Sequence, residues 1–187
     1  GLFFSLARFS AIIRQTTLRM SINDGLSLSR RCLRIGCVLM LLTAFPSAAE
    51  TNQVIYADSL QNNWENWGWT QINWADRSVV HSGSTSIAVT ITNAWQAIYF
   101  HHTAMDTSGF TNLSFWIHGG TGGGQTLQVQ AILGSSSQTA VALSALPANS
   151  WQYVTLSLSA LGVASNSSFA GFWIQDRAGA AQATFYL

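Results

Sequence analysis

The chain has 187 residues, with eight arginines and no lysine against seven acids. From Glu50 onward only Arg77 and Arg177 face six carboxylates, a net charge of −4. That balance leaves no cationic footprint for nucleic acid or anionic lipid, and with both cysteines (Cys32 and Cys37) ahead of Glu50 the later region forms neither a disulfide nor a thiolate metal site.

Residues 1–19 lack an initiator and read as an upstream or vector-derived segment. From Met20 the pattern is that of a secretory signal. Arg30, Arg31 and Arg34 supply the positive region, and residues 35–45 form an apolar run. The run is shorter than the roughly 20 residues that a membrane-spanning helix needs. Pro46 ends it, and Ser47, Ala48 and Ala49 offer small residues for cleavage. The expectation is a signal peptide over 20–49 and a secreted domain over 50–187, with no membrane attachment once mature.

In that domain no stretch sustains an apolar period of 3.6. Alternation over five to eight residues recurs instead, broken by Gly, Ser, Asn and Thr clusters. The pattern predicts strands over 54–56, 71–74, 86–92, 95–101, 113–118, 126–133, 138–143, 152–158, 171–175 and 183–187. About ten short strands without a helical segment predict an all-β fold, a β-sandwich of the jelly-roll kind.

A hairpin is expected between 113–118 and 126–133, across the glycine-rich segment that joins them. Leu113, Phe115 and Ile117 would face the core, with Trp116 outward, and Leu127, Val129, Ala131 and Leu133 would leave Gln128 and Gln130 outward, with Gln128 near Trp116. Residues 171–175 repeat the arrangement, with Phe172 and Ile174 inward and Trp173 and Gln175 outward. A flat aromatic ring offers stacking area to the C–H face of a sugar, and amides pair with its hydroxyl rim. Trp116, Gln128, Gln130, Trp173 and Gln175 therefore form the candidate face for a neutral glycan.

Three further tryptophans, Trp64, Trp67 and Trp69, crowd a polar segment. Trp67 and Trp69 are candidate contacts, and Trp64 is assigned to packing. Trp95 and Tyr99 share a face with His101 if Ile98 and Phe100 point inward, and they join the candidate list. Trp151 reads as a core cap.

Residues 82–89, 110–117 and 151–156 resemble the strand signatures of jelly-roll carbohydrate-binding modules of secreted bacterial cellulases and hemicellulases, most closely the β-glucan binders, family eighty-one among them. The resemblance implies non-catalytic binding of β-1,4- or mixed-linkage β-glucan, or xyloglucan, and an attached glycoside hydrolase. It also implies a structural calcium ion near the chain ends, at Asp58 and the backbone around residues 82–84. The aspartate that usually follows the last strand would lie beyond Leu187, which implies a longer parent protein.

Two other classes stay open. A small sandwich glycanase needs two carboxylates about 5–10 Å apart, and Glu65 is the best single candidate. An adhesion module would set the outward tryptophans against a protein. A metal site at His101 and His102 is disfavoured, because adjacent strand residues point to opposite faces.

Overall fold

The computed structural model describes residues 1–5 and 52–187. The signal expected over 20–49, and the upstream segment beyond residue 5, lie outside the described residues. The strands are β1 (Leu2–Ser5), β2 (Gln53–Tyr56), β3 (Glu65–Asn66), β4 (Gln71–Asp76), β5 (Ser86–Ile91), β6 (Ala97–Met105), β7 (Asn112–His118), β8 (Leu127–Leu133), β9 (Ser136–Ala142), β10 (Trp151–Ser157), β11 (Phe169–Asp176) and β12 (Gln182–Tyr186). All ten expected strands are present. Two more join them: the two-residue β3, and β1, which the sequence reading placed upstream of the domain.

The strands form two antiparallel sheets packed as a β-sandwich. One runs β2-β1-β7-β12-β5-β4, with β10 on the other edge of β7; the second runs β3-β6-β11-β8-β9. β1 and β12 share the same edge of β7, β1 beside residues 112–114 and β12 at His118.

Alternation sets the core. Leu113, Phe115 and Ile117 of β7, Ile87, Val89 and Ile91 of β5, and Phe185 of β12 face Ile98 and Phe100 of β6, Leu127 and Val129 of β8, and Phe172 and Ile174 of β11, all buried. Phe100 and Phe172 stack across β6 and β11 with centroids 5.1 Å apart. Each such side chain contributes about 1.5–3 kcal/mol on burial. Phe169 and Phe172, three residues apart, are both buried, which strict alternation forbids. A bulge between Phe169 and Gly171 resets the register. Gly171 sits there at φ +128°, where a Cβ would lie 2.2 Å from the Phe100 carbonyl oxygen. Only glycine fits, and beyond it Trp173 and Gln175 turn outward.

The expected hairpin between residues 113–118 and 126–133 does not form. β7 belongs to the first sheet and β8 to the second. β10 pairs with β7 along its whole length, and β1 and β12 take its other edge. β11 and β9 fill both edges of β8. The glycine segment crosses between the sheets, tied by Gly124 N–H to the Leu146 carbonyl and by Asn149 N–H to the Gly120 carbonyl. Beside it the buried Gln125 donates from Nε2 to the carbonyls of Gly119, Ala183 and Thr184. A close two-residue turn would have favoured a hairpin; a long segment anchored on both sheets does not.

Candidate functional site

The outer face of the second sheet is built in rows across its strands. Trp173 stands opposite Tyr99 of β6 on one side and Gln130 of β8 on the other; Gln175 stands opposite Gln128. The chain after β3 continues beside β6, with Trp67 N–H bonded to the Tyr99 carbonyl and Trp69 N–H to the Ala97 carbonyl, both at 3.0 Å. Glu65, Trp67 and Trp69 are therefore alternate residues of an extended edge segment, not tips of a loop at the end of the sandwich. Trp64 points the other way and is buried against Phe169 and Phe172.

The rings form a cluster of edge-on contacts. Trp69 meets Trp173 at 5.5 Å and Tyr99 at 6.5 Å; Tyr99 meets Trp173 at 5.6 Å and Trp67 at 6.1 Å. Such geometry suits the ring quadrupoles. Trp67 stacks flat on His101 at 3.5 Å. Glu65 Oε2 accepts from Trp67 Nε1 at 2.9 Å and lies 3.3 Å from His101 Nδ1. Trp67 and Trp95 remain 55% exposed and Trp69 43%, so large apolar rings stay in water.

Trp95 is not part of β6 as expected. It occupies the turn before the strand at φ +61°, its ring beside Gly179. Its backbone ties the rim together. The carbonyl accepts from Trp69 Nε1 and from Gln175 Nε2, both at 2.9 Å, and its N–H donates to Asp176 Oδ2 at 3.0 Å. Asp176 is fully buried and also accepts from the amides of Ala178 and Ala180 and from Gln182 Nε2. Burial alone would raise its pKa, but the four donors outweigh it and hold the carboxyl below its usual range. Burial raises the phenol of Tyr99. Asp176 was not singled out in the sequence, because its role depends on contacts from a turn some eighty residues away.

The structure thus gathers Trp67, Trp69, Tyr99, Trp173, Gln175, Gln128 and Gln130 on one face, with the backbone of Trp95 at its rim. It does not gather Trp116. That residue lies on the first sheet, opposite Tyr153 of β10, stacked on His81 at 4.1 Å and tilted against Tyr153 at 5.1 Å. Trp151, expected to cap the core, packs on the same outer surface against His81 and His118. His102 bonds Asn62 and packs on Trp64, away from His101.

Asp58 does not fit a calcium ion. It sits in a turn at φ +62°. Its Oδ1 accepts the N–H groups of Ser84 and Thr85 at 2.9 Å, and its Oδ2 accepts Ser84 Oγ at 3.1 Å. The Thr85 and Ser84 amides hold its carboxyl below the usual range. Those hydrogens stand where a cation would bind, and calcium requires about six to eight oxygen ligands. Among the described residues no three His, Cys, Asp or Glu side chains converge.

No family model matches the sequence. An endoglucanase of Dictyostelium discoideum is 29% identical over 141 residues, 71% of this chain and 20% of that protein. The chain spans about a fifth of the length of that curated relative. Among solved structures, the family 30 carbohydrate-binding module of a cellulosomal cellulase of Clostridium thermocellum superposes with a TM-score of 0.55 at 13% identity, covering 71% of this chain and 91% of that one. A mutant of a family 29 carbohydrate-binding module gives a TM-score of 0.48 at 15% identity, covering 72% and 85%. The likeness to the family 30 module shows the fold, a β-sandwich shared with that structure.

Proposed function

We propose that this chain is a non-catalytic module that binds neutral glycan chains across the outer face of its second sheet. The observation that carries the reading is the exposure of Trp67 and Trp69 on a face otherwise composed of Tyr99, Trp173 and the row of Gln128, Gln130 and Gln175, with the exposed Trp95 at its rim. Exposed rings supply stacking area for the axial C–H groups of a pyranose, and the glutamines meet its hydroxyls. With two arginines against six carboxylates from Glu50 onward, the face suits uncharged sugars.

The proposed ligand is a β-1,4- or mixed-linkage β-glucan or xyloglucan. The resemblance to the β-glucan binders, family eighty-one among them, and the likeness to an endoglucanase support it. The proposed setting is a secreted protein in which the module holds an attached glycoside hydrolase near its polymer, raising the local substrate concentration. Glu65, the best single candidate for a glycanase acid, is engaged by Trp67 and His101, which favours a positioning role. Isothermal titration with cellopentaose and with xylopentaose, with the mixtures assayed for shortened products, tests the reading. Binding without shortening is expected; no heat with either sugar, or cleavage, would overturn it.

A further inference from the structure

The hydrogen-bond pattern of the face fixes which atoms it leaves for a ligand. The two exposed indoles have used their donors internally: Trp67 Nε1 on Glu65 and Trp69 Nε1 on the Trp95 carbonyl. The Trp173 Nε1 atom is buried, without a partner. Gln175 approaches the Trp95 carbonyl at 2.9 Å. A carbonyl only accepts, so the amide nitrogen of Gln175 must face it. That turns Gln175 Oε1 toward Gln128, which must answer with its own nitrogen, as it does at 2.9 Å. Gln128 Oε1 is the atom left over. Gln130 reaches the same state separately: its nitrogen donates to the Gln138 carbonyl at 2.6 Å, and its Oε1 is displayed. Both orientations follow from backbone carbonyls, which have no alternative polarity.

We infer that the face reads its glycan through carbonyl acceptors, and so requires free hydroxyl groups on the sugars that cross Gln128 and Gln130. This rests on the glycan-binding reading above. The two oxygens lie two residues apart on β8, about 7 Å along the strand. Each amide keeps a second hydrogen, but its nitrogen is held against protein oxygens, and the oxygen is the atom without a partner. A hydroxyl donates to such an oxygen; an ether or an ester cannot. The selected ligand class is therefore the neutral glycan that presents free hydroxyls at these two positions; chains O-methylated or O-acetylated there are rejected. A site that hydrogen-bonds a ligand hydroxyl discriminates strongly against the analogue lacking it, because its polar groups are then desolvated without a partner.

The test is affinity electrophoresis of the full chain in hydroxyethylcellulose and in methylcellulose of matched substitution. Both polymers carry bulk on the same oxygens, but only the first ends its substituents in hydroxyls. The expected dissociation constant is at least about tenfold weaker for the methyl ether. Gln128→Met and Gln130→Met, which keep side-chain length and remove the acceptor, should move that ratio toward one by weakening hydroxyethylcellulose binding. Equal retardation of the unaltered protein by the two polymers would overturn the acceptor row and leave glycan binding standing. Retardation by neither would overturn the β-glucan reading and this inference with it. If a methionine variant fails to fold, the comparison on the unaltered protein decides alone.

Discussion

The indole N–H of Trp69 donates to the backbone carbonyl of Trp95 at 2.9 Å, joining the segment after β3 to the turn before β6. The bond holds an exposed ring upright, with its edge toward Trp173 and Tyr99. Trp69→Ala should weaken glycan binding by about 1–3 kcal/mol, the range for aromatic stacking on flat ligands. Trp69→Phe keeps a ring and loses the bond, so an intermediate loss is expected. Titration of both variants with cellopentaose checks the order; equal losses would show that the bond does not position the ring.

Trp173 and Trp116 were equivalent candidates in the sequence, and the sandwich separates them. Trp173→Ala should weaken binding and also loosen Trp69, which rests on it. Trp116→Ala should leave affinity unchanged and lower the melting temperature, since its ring packs on His81 and Tyr153. Removing a half-buried tryptophan of this kind costs about 2–4 kcal/mol. Thermal unfolding and titration of the two variants distinguish the roles; reduced affinity in folded Trp116→Ala would place a second contact on the first sheet.

The separation of Trp116 from Trp173 has a physical cause that lies outside the local pattern. The strands were legible because burial on one face imposes a period of two, and Phe115, Val129 and Ile174 keep it without a break. The same alternation correctly turned Trp173, Gln175, Gln128 and Gln130 outward. It cannot tell which outer face a residue reaches, because that depends on which sheet its strand joins. Adjacent strands in sequence usually pair, and the glycine-rich segment suggested a turn. The edges of β7 were instead filled by β10, β1 and β12, contacts made from distant parts of the chain. The buried amide of Gln125 was the local sign of a crossing, visible only once its three carbonyl partners were in place. Asp176 was hidden for the same reason: four donors from two turns give it meaning.

Asp176→Asn replaces one acceptor oxygen with an NH2 group that faces N–H donors. Two of the four bonds are lost, for a destabilisation of about 2–4 kcal/mol at neutral pH. The Trp95 turn loosens with them, so glycan affinity should fall although Asp176 is too deep to touch a ligand. The native carboxyl titrates below its unfolded value near 3.9. Its contribution is therefore complete above that pH and is lost as pH falls through the lower native value. The gap in melting temperature between the variant and the unaltered protein should narrow below about pH 4. A gap that stays constant down to pH 2 would assign the loss to packing.

Asp58 ties the turn after β2 to the start of β5 through the amides of Ser84 and Thr85. Asp58→Ala removes the acceptor from both and should lower the melting temperature. Gly83, at φ +77°, packs so close that a Cβ there would lie 2.5 Å from Asp58 Oδ1, and Gly83→Ala should act in the same direction. Because the carboxylate is already engaged by N–H groups, neither calcium nor a chelator should change the melting temperature. A rise of several degrees on adding millimolar calcium would show that the ion displaces those amides.

His101 lies flat against Trp67 and its Nδ1 is 3.3 Å from the same Glu65 oxygen that receives the Trp67 indole N–H. The arrangement clamps an exposed tryptophan from its face and from its nitrogen. A ring held in one orientation loses less entropy when a sugar stacks on it than a free rotor does. His101→Ala should therefore weaken binding even if the histidine never meets the ligand, by about 0.5–1.5 kcal/mol, the cost of immobilising one side chain. Glu65→Gln keeps an acceptor for the indole and should lose less than Glu65→Ala. The discriminating measurement is a double-mutant cycle with Trp67→Ala. If His101 acts through Trp67, its effect disappears once the tryptophan is gone. If the two losses add, the histidine meets the sugar directly.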